Sequence, residues 1–324
     1  MTRTCLQMVI FSMVLTVGLM TAQAQDQYSL NKDQWVQKQI YAPGSPEAQL
    51  QAIRKMVAQN QGKEATIAVK DWIKTHPNHP MIAEAYLVSG DAKVLTKHYY
   101  KALFDYEFMI RSYPGSDQFH LALEREFEIA NIFAAGTKRI WLGMRILGAS
   151  GEAEEMYIRI QERAPGSLIG EKASLELGDY YFNHAQMHSA AEAYQLFLEN
   201  YPRSRFRERA MLRRIEADLA SFSSPVFDPT GLLEASIHIR QFEEEYPASA
   251  QRLGTQELLV RVNDSLAAKD LHTAQWYEKR KKDNVSAVYM YRRIITDHPQ
   301  TAAALSAQEG LARLEPTLAG GSAQ

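Results

Sequence analysis

Proline recurs six times in this chain with an alanine 12 residues before it. The pairs are Ala65–Pro77, Ala102–Pro114, Ala153–Pro165, Ala190–Pro202, Ala235–Pro247 and Ala287–Pro299. Four residues after the alanines stand Val69, Tyr106, Tyr157, Tyr194, Ile239 and Tyr291, and seven after them Trp72, Met109, Ile160, Phe197, Phe242 and Ile294. These offsets are about one and two helical turns, so the small and large residues share one helix face. Proline lacks an N–H and clashes with the preceding turn, which ends the helix. Ser116, Ser167, Ser204, Ser249 and Thr301 stand two residues after their prolines, with His79 in the first copy, and the hydroxyls are expected to cap the next helix.

In two copies a glycine precedes the proline by 24 residues, Gly90 before Pro114 and Gly178 before Pro202. The run Leu177-Gly178, Tyr181, Ala190, Tyr194, Pro202 resembles the tetratricopeptide pattern without its leading Trp. The expected fold is therefore all-α, a tetratricopeptide-like helical-hairpin solenoid of about six repeats. Each pair buries its apolar face only by stacking on its neighbours. Pro43-Gly44-Ser45 opens the first pair, and Glu257–Val262, strand-like in isolation, is read as helix because the repeat demands one there. Spacings between prolines of 37, 51, 37, 45 and 52 residues imply extra material in three units. The expected division is 1–24 signal peptide, 25–45 leader, 46–167 and 168–316 two blocks of repeats, and 317–324 a disordered tail.

Basic and acidic residues nearly balance, at 36 against 38, which leaves no nucleic-acid footprint. Arg3, the apolar stretch Leu6–Met20 and the small-x-small run Ala22-Gln23-Ala24 read as an export signal cleaved after Ala24. The only cysteine, Cys5, lies before the apolar stretch. A lipoprotein cysteine would follow it, so no lipid attachment is expected, and the mature chain would hold no thiol for disulfides or cysteine-type zinc.

Signatures of enzymes are absent: there is no H-E-x-x-H, no G-x-S-x-G and no P-loop. His184 and His188 have the i, i+4 spacing of a metal pair but fall at a turn, as do His76 and His79, so no metal and no cofactor are expected. The insertion Gly136–Gly151 carries Lys138, Arg139 and Arg145 among Ile140, Trp141, Leu142, Met144, Ile146 and Leu147. It reads first as a helix packed back on the solenoid with solvated cations. The competing reading is an amphipathic element, with Trp141 and Arg145 contacting a membrane or partner. Lys279-Arg280-Lys281-Lys282 is read as a basic turn before the last repeat helix. Leu87, Asp91, Asp179, Phe182 and Asn183 mark the face of the first helix in a pair, which lines the concave side of such solenoids and reads equally as a peptide groove or as a solvated face.

From Ser204 onward the chain carries Asp228-Pro229 with Ala235, then Phe242-Glu243-Glu244-Glu245-Tyr246-Pro247-Ala248-Ser249, then Leu266-Ala267 with Ala274, Trp276-Tyr277 and Arg280. Ile294-Ile295-Thr296-Asp297-His298-Pro299-Gln300-Thr301 closes this part, and Tyr99-Tyr100-Lys101-Ala102 through Tyr113-Pro114 is the matching phrase in earlier repeats. In these stretches the chain resembles the BamD family, the helical-repeat subunits of the outer-membrane β-barrel assembly machine. The resemblance implies a non-enzymatic scaffold in the periplasm, open to peripheral association with the inner face of the outer membrane, with no transmembrane segment after cleavage. Family members hold barrel precursors through N-terminal repeats and dock on the insertase through C-terminal ones. Tyr277, Arg280 and Lys282 would then face the insertase. The alternative is a periplasmic tetratricopeptide adaptor coordinating peptidoglycan synthesis or envelope constriction.

Overall fold

The computed structural model describes residues 27–31, 34–38, 41–136, 138–141, 144–148, 150–222 and 228–321. The expected signal segment 1–24 lies outside them, as do 322–324. Six helix pairs follow in chain order: α1 (Pro46–Ala58) with α2 (Gly62–Thr75), α3 (Ile82–Leu95) with α4 (Tyr99–Ser112), and α5 (Phe119–Ala134) with α6 (Ser150–Arg163). Next come α7 (Leu168–Asn183) with α8 (Met187–Asn200) and α9 (Arg207–Ser221) with α10 (Thr230–Glu245). The short α11 (Pro247–Leu253) precedes α12 (Thr255–Trp276), which pairs with α13 (Asn284–Asp297) across a π-helical turn, Tyr277–Lys281; α14 (Ala302–Gly321) closes the stack. The chain is an all-α helical-hairpin solenoid of tetratricopeptide type, and α12 covers the strand-like run Glu257–Val262. Among the described residues no helix is long and apolar enough to cross a membrane.

The repeat alanines and their Ala+4 and Ala+7 partners lie in the second helix of each pair, and all of them are buried. Each of these helices ends two residues before its proline, at Thr75, Ser112, Arg163, Asn200, Glu245 and Asp297. The chain then turns in a repeated way. The residue two after proline donates its backbone N–H to the carbonyl of the residue before proline, as in Ser116 to Tyr113 at 3.0 Å, Ser204 to Tyr201 at 3.0 Å and Thr301 to His298 at 3.2 Å. Ser45 closes on Ala42 identically at 3.0 Å, around Pro43.

Only some of the expected hydroxyl caps form. Ser167 accepts from Gly170 N at 3.1 Å and Thr301 from Ala304 N at 3.2 Å, because α7 and α14 begin directly after them. After Pro77, Pro114 and Pro202 the helix starts two residues later, and the main-chain carbonyls of His79, Ser116 and Ser204 accept from the first helical N–H instead. Ser249 sits inside α11, which starts at Pro247 itself. Proline is well placed there, since the first helical N–H has no intrahelical partner to lose.

Turns within pairs use a left-handed residue. Asn60, Lys97 and Ala185 have φ of 61°, 59° and 58°. Gln61, His98 and Gln186 then donate back to Met56, Lys93 and Tyr181 at 2.9 Å each, satisfying carbonyls that a helix end leaves open.

Two expectations need correction. In the 136–151 insertion the described residues 138–141 and 144–148 are strands and not the expected helix: β3 (Lys138–Trp141) pairs antiparallel with β4 (Met144–Gly148), with Ile140 opposite Arg145 and Trp141 opposite Met144. Gly136, Gly143, Gly148 and Gly151 crowd this segment, and glycine disfavours a helix interior while permitting tight reversals. A second hairpin, β1 (Gln27–Asn31) with β2 (Gln34–Lys38), falls in the leader, where Tyr28, Leu30, Trp35 and Val36 favour extended backbone. Nor is the tail 317–324 wholly irregular, for α14 carries its backbone to Gly321.

Among the described residues the buried side chains form four clusters along the stack, and α7 contributes to two of them. Ile169, Ala173 and Tyr180 of α7 belong to the same buried cluster as Tyr157 and Ile160 of α6. Leu175 of α7 opens the next cluster with Tyr194 and Phe197 of α8. One helix thus supplies both cores, which is how stacked pairs achieve burial that none has alone.

Candidate protein-interaction site

The first helices of the pairs line one face. A groove of about 340 Å³ runs between α1, α3 and α5, lined by Arg54, Val57, Leu87, Asp91, Leu121 and Arg125 among others. Leu87 forms part of its floor and is itself buried, whereas Leu121 is exposed. Asp91 has internal partners. It accepts from the Tyr106 hydroxyl at 2.7 Å and from Arg125 Nε at 3.1 Å. Burial, then the Asp91 carboxylate, pushes the Tyr106 phenol far above its ordinary range. Arg125 also grips Glu128 at 3.0 Å, and these carboxylates outweigh desolvation and hold its guanidinium charged.

The same arrangement recurs two pairs later. Tyr194 donates to Asp179 Oδ1 at 2.6 Å, and Arg209 reaches Asp179 Oδ2. Arg213 stands one turn further along α9, pairs with Glu216 at 2.8 Å and lies 4.9 Å above the ring of Phe182. Such a contact is an attraction between cation and ring quadrupole. Asp179 and Phe182 are therefore brought together through α9, while Asn183, the last residue of α7, is exposed beside them.

Arg125, Arg209 and Arg213 were missed by sequence reasoning. A signal existed: Arg125 follows Asp91 by 34 residues and Arg213 follows Asp179 by 34. That is one minimal tetratricopeptide unit. In each case a glutamate stands three residues on, Glu128 and Glu216.

At the other end, the basic run occupies the π-helical turn. Lys281 Nζ stands 5.2 Å over the Trp276 ring, and Trp276 meets Tyr277 edge-on at 5.1 Å. Tyr277 is half-buried against the last core cluster, whereas Arg280 and Lys282 are exposed. Glu278 faces inward, accepting from the Tyr291 hydroxyl at 2.5 Å and pairing with Arg313 at 3.4 Å. Asp283 then caps α13 by accepting from Ser286 N at 3.0 Å. Lys282 sits at φ +57°, the left-handed residue of this turn. The turn thus directs its acid inward, half-buried, and presents its cations. It lies far along the chain from the α1–α5 groove and does not share a site with it.

Trp141 and Arg145 lie on opposite strands of the β3–β4 hairpin, one register step apart. The histidines of the expected turns have local partners. His184 Nδ1 bonds the Tyr180 carbonyl at 2.8 Å, His188 lies 3.4 Å from Glu192, and His79 meets Glu47 at 3.1 Å. Among the described residues no group of three or more His, Cys, Asp or Glu could hold a metal ion.

Comparison with known proteins adds the family. A family model described as YfiO, outer membrane lipoprotein, matches residues 148–317, just over half the chain. The chain belongs to that family. No curated protein matches it. Among solved structures, it is similar to the C-terminal part of a TPR repeat-containing protein from Cytophaga hutchinsonii, at 15% identity and TM-score 0.41, over 83% of this chain and 88% of that one. PilW, a type IV pilus biogenesis factor, is similar at 13% identity and TM-score 0.33, over 82% and 100%. The TPR domain of P58(IPK) is similar at 14% identity and TM-score 0.29, over 82% and 77%.

Proposed function

We propose that the chain is a non-enzymatic, BamD-like binding platform at the periplasmic side of the outer membrane, taking part in the assembly and insertion of β-barrel proteins. The observation that carries this reading is the family match over residues 148–317, which takes in the exposed cationic turn. A stacked helical repeat suits the task, because each pair contacts only its neighbours and the stack offers a long ligand surface. The α1–α3–α5 groove would receive an extended or helical segment of an unfolded precursor. Leu87 and Leu121 supply apolar contact there, while Arg54 and Arg125 line the rim. Asp91 and Asp179 would act indirectly, by holding the arginines that face the guest. Phe182 and Asn183 continue this face, and Tyr277, Arg280 and Lys282 form the insertase-facing end.

Site-specific photo-crosslinking tests the reading in cells that make the protein natively. A crosslinker in place of Arg280 is expected to trap a barrel-assembly component, and one in place of Leu121 a barrel precursor. Capture of peptidoglycan-synthesis or septal proteins at both positions, with no barrel component, would establish the adaptor reading instead.

A further inference from the structure

The opposite face of the solenoid, built from the second helices of the pairs, carries a groove that the reading above does not use. It runs between α6 and α8 over α7 and encloses about 350 Å³. Its apolar lining includes Ile158 of α6, Leu177 and Tyr181 of α7, and Leu196 of α8. Leu196 is 55% exposed and Ile158 39%, large values for branched apolar side chains. Tyr181 is held in place by donating to Glu154 at 2.8 Å.

Charge is distributed on both walls with one sign. Glu162 stands on α6 and Glu192 on α8, both exposed, and no lysine or arginine is among the lining residues. Glu192 lies 3.4 Å from the exposed His188 and close enough to Tyr181 to act on its phenol. The neighbouring groove between α4 and α6 differs. Its acids Glu155 and Glu107 are matched by Arg159 at 3.0 and 3.8 Å, and Arg163 grips Glu107 at 2.6 Å. The α6–α8 groove thus pairs an apolar floor with carboxylates on both sides.

We propose that this groove docks a cationic amphipathic helix of a partner protein, its apolar stripe on Ile158, Leu177 and Leu196 and its flanking lysines or arginines against Glu162 and Glu192. The complement follows from the charges. An anionic segment would meet two carboxylates of its own sign, and a purely apolar one would bury them unpaired. Laying an apolar stripe into a groove is a common way for helices to bind. Flanking opposite charges set partner choice and orientation, as they do in coiled coils.

The test uses the full chain and three fluorescein-labelled 18-residue peptides read by anisotropy. The first has a leucine stripe flanked by lysines, the second the same composition scrambled, and the third glutamate in place of lysine. The striped cationic peptide is expected to bind at least tenfold more tightly than either of the others. Glu162→Lys with Glu192→Lys, or Leu196→Ser alone, is expected to weaken it at least tenfold. Ile237→Ser, on the exposed face of α10, is expected to leave it unchanged. Circular dichroism melts confirm that each variant folds. Equal binding of the scrambled peptide, or equal loss in the α10 variant, overturns the proposal. A concentration-dependent dimer abolished by Leu196→Ser also overturns it, since a second copy would then be the occupant.

Discussion

The ring of Tyr106 occupies the space that a side chain on Gly90 would need. A Cβ built on Gly90 falls 2.1 Å from Tyr106 Cε1. Gly178 stands in the same relation to Tyr194, at 2.6 Å, and Gly310 of α14 to Tyr291, at 2.6 Å. Each glycine lets a helix approach an aromatic ring at Ala+4 of a repeat, and beside Gly90 and Gly178 the ring's hydroxyl reaches the aspartate that follows the glycine.

Gly90→Ala should therefore destabilise the fold by roughly 1–3 kcal/mol, the usual range for overpacking a close contact. Gly115→Ala is the control, because nothing lies within 4 Å of its added methyl. Urea unfolding would compare them. Equal midpoints would mean that the ring moves aside freely.

Ala185 should respond in the opposite sense. Its φ of 58° is left-handed, which disfavours any residue bearing a Cβ. Ala185→Gly is expected to stabilise by about 0.5–1 kcal/mol, after allowing for glycine's greater freedom in the unfolded chain. A lower urea midpoint for this variant would show that the Cβ is better tolerated than its backbone angle implies.

Asp179→Ala is expected to destabilise by about 2–3 kcal/mol, because it strands the buried Tyr194 hydroxyl. Its partner Arg209 is half exposed and recovers hydration, which keeps the loss below that of a fully buried pair. Tyr194→Phe should cost less, about 1 kcal/mol, since Asp179 keeps Arg209. A melt unchanged by Asp179→Ala would show that its bonds to Tyr194 and Arg209 carry no net stability.

Glu126 gives a pH signature. It is buried beside Arg163 and Glu107, and desolvation raises its pKa from 4.5 to about 7, with Arg163 opposing and Glu107 adding to the rise. A carboxyl raised on folding favours the folded state when protonated. Its contribution is complete below about 4.5 and is lost as pH climbs through about 7. Glu126→Gln should remove this dependence, so the stability difference between variant and wild type should shift in the variant's favour between pH 5 and pH 8. Each unit of pKa corresponds to roughly 1.4 kcal/mol. Parallel pH profiles for the two proteins would contradict it.

The fold was readable because its determinants repeat in a fixed order. Ala190, Tyr194, Phe197 and Pro202 each perform a local task, and their spacing alone puts three on one face and a stop after them. The hairpins were not readable in this way. Lys138–Gly148 belongs to no repeat, and its short apolar run suits a helix or a strand until its glycines are weighed. The site was legible only in outline. Asp91 and Asp179 could be placed on the first helices of their pairs, but their bonds to Tyr106 and Tyr194 span the helix pair. Arg125 and Arg209 arrive from the following pair. Such contacts depend on how helices are stacked, which no single helix pattern encodes. The acidic groove of α6 and α8 was invisible for the same reason, since Glu162 and Glu192 become neighbours only through packing over α7.

The proline turns have a further consequence for how such a chain can change. Outside the α10–α11 junction they close with main-chain atoms around a proline, so the residues at their tips carry little of the load. The long proline spacings accommodate β3–β4, the α9–α10 connection, and α11 with the extended α12. Added material has entered at connections and at a helix end, and none of it displaced an Ala+4 or Ala+7 contact. The solenoid behaves as a rack with a fixed pitch, on which new fittings can be hung at the joints without re-cutting the shelves.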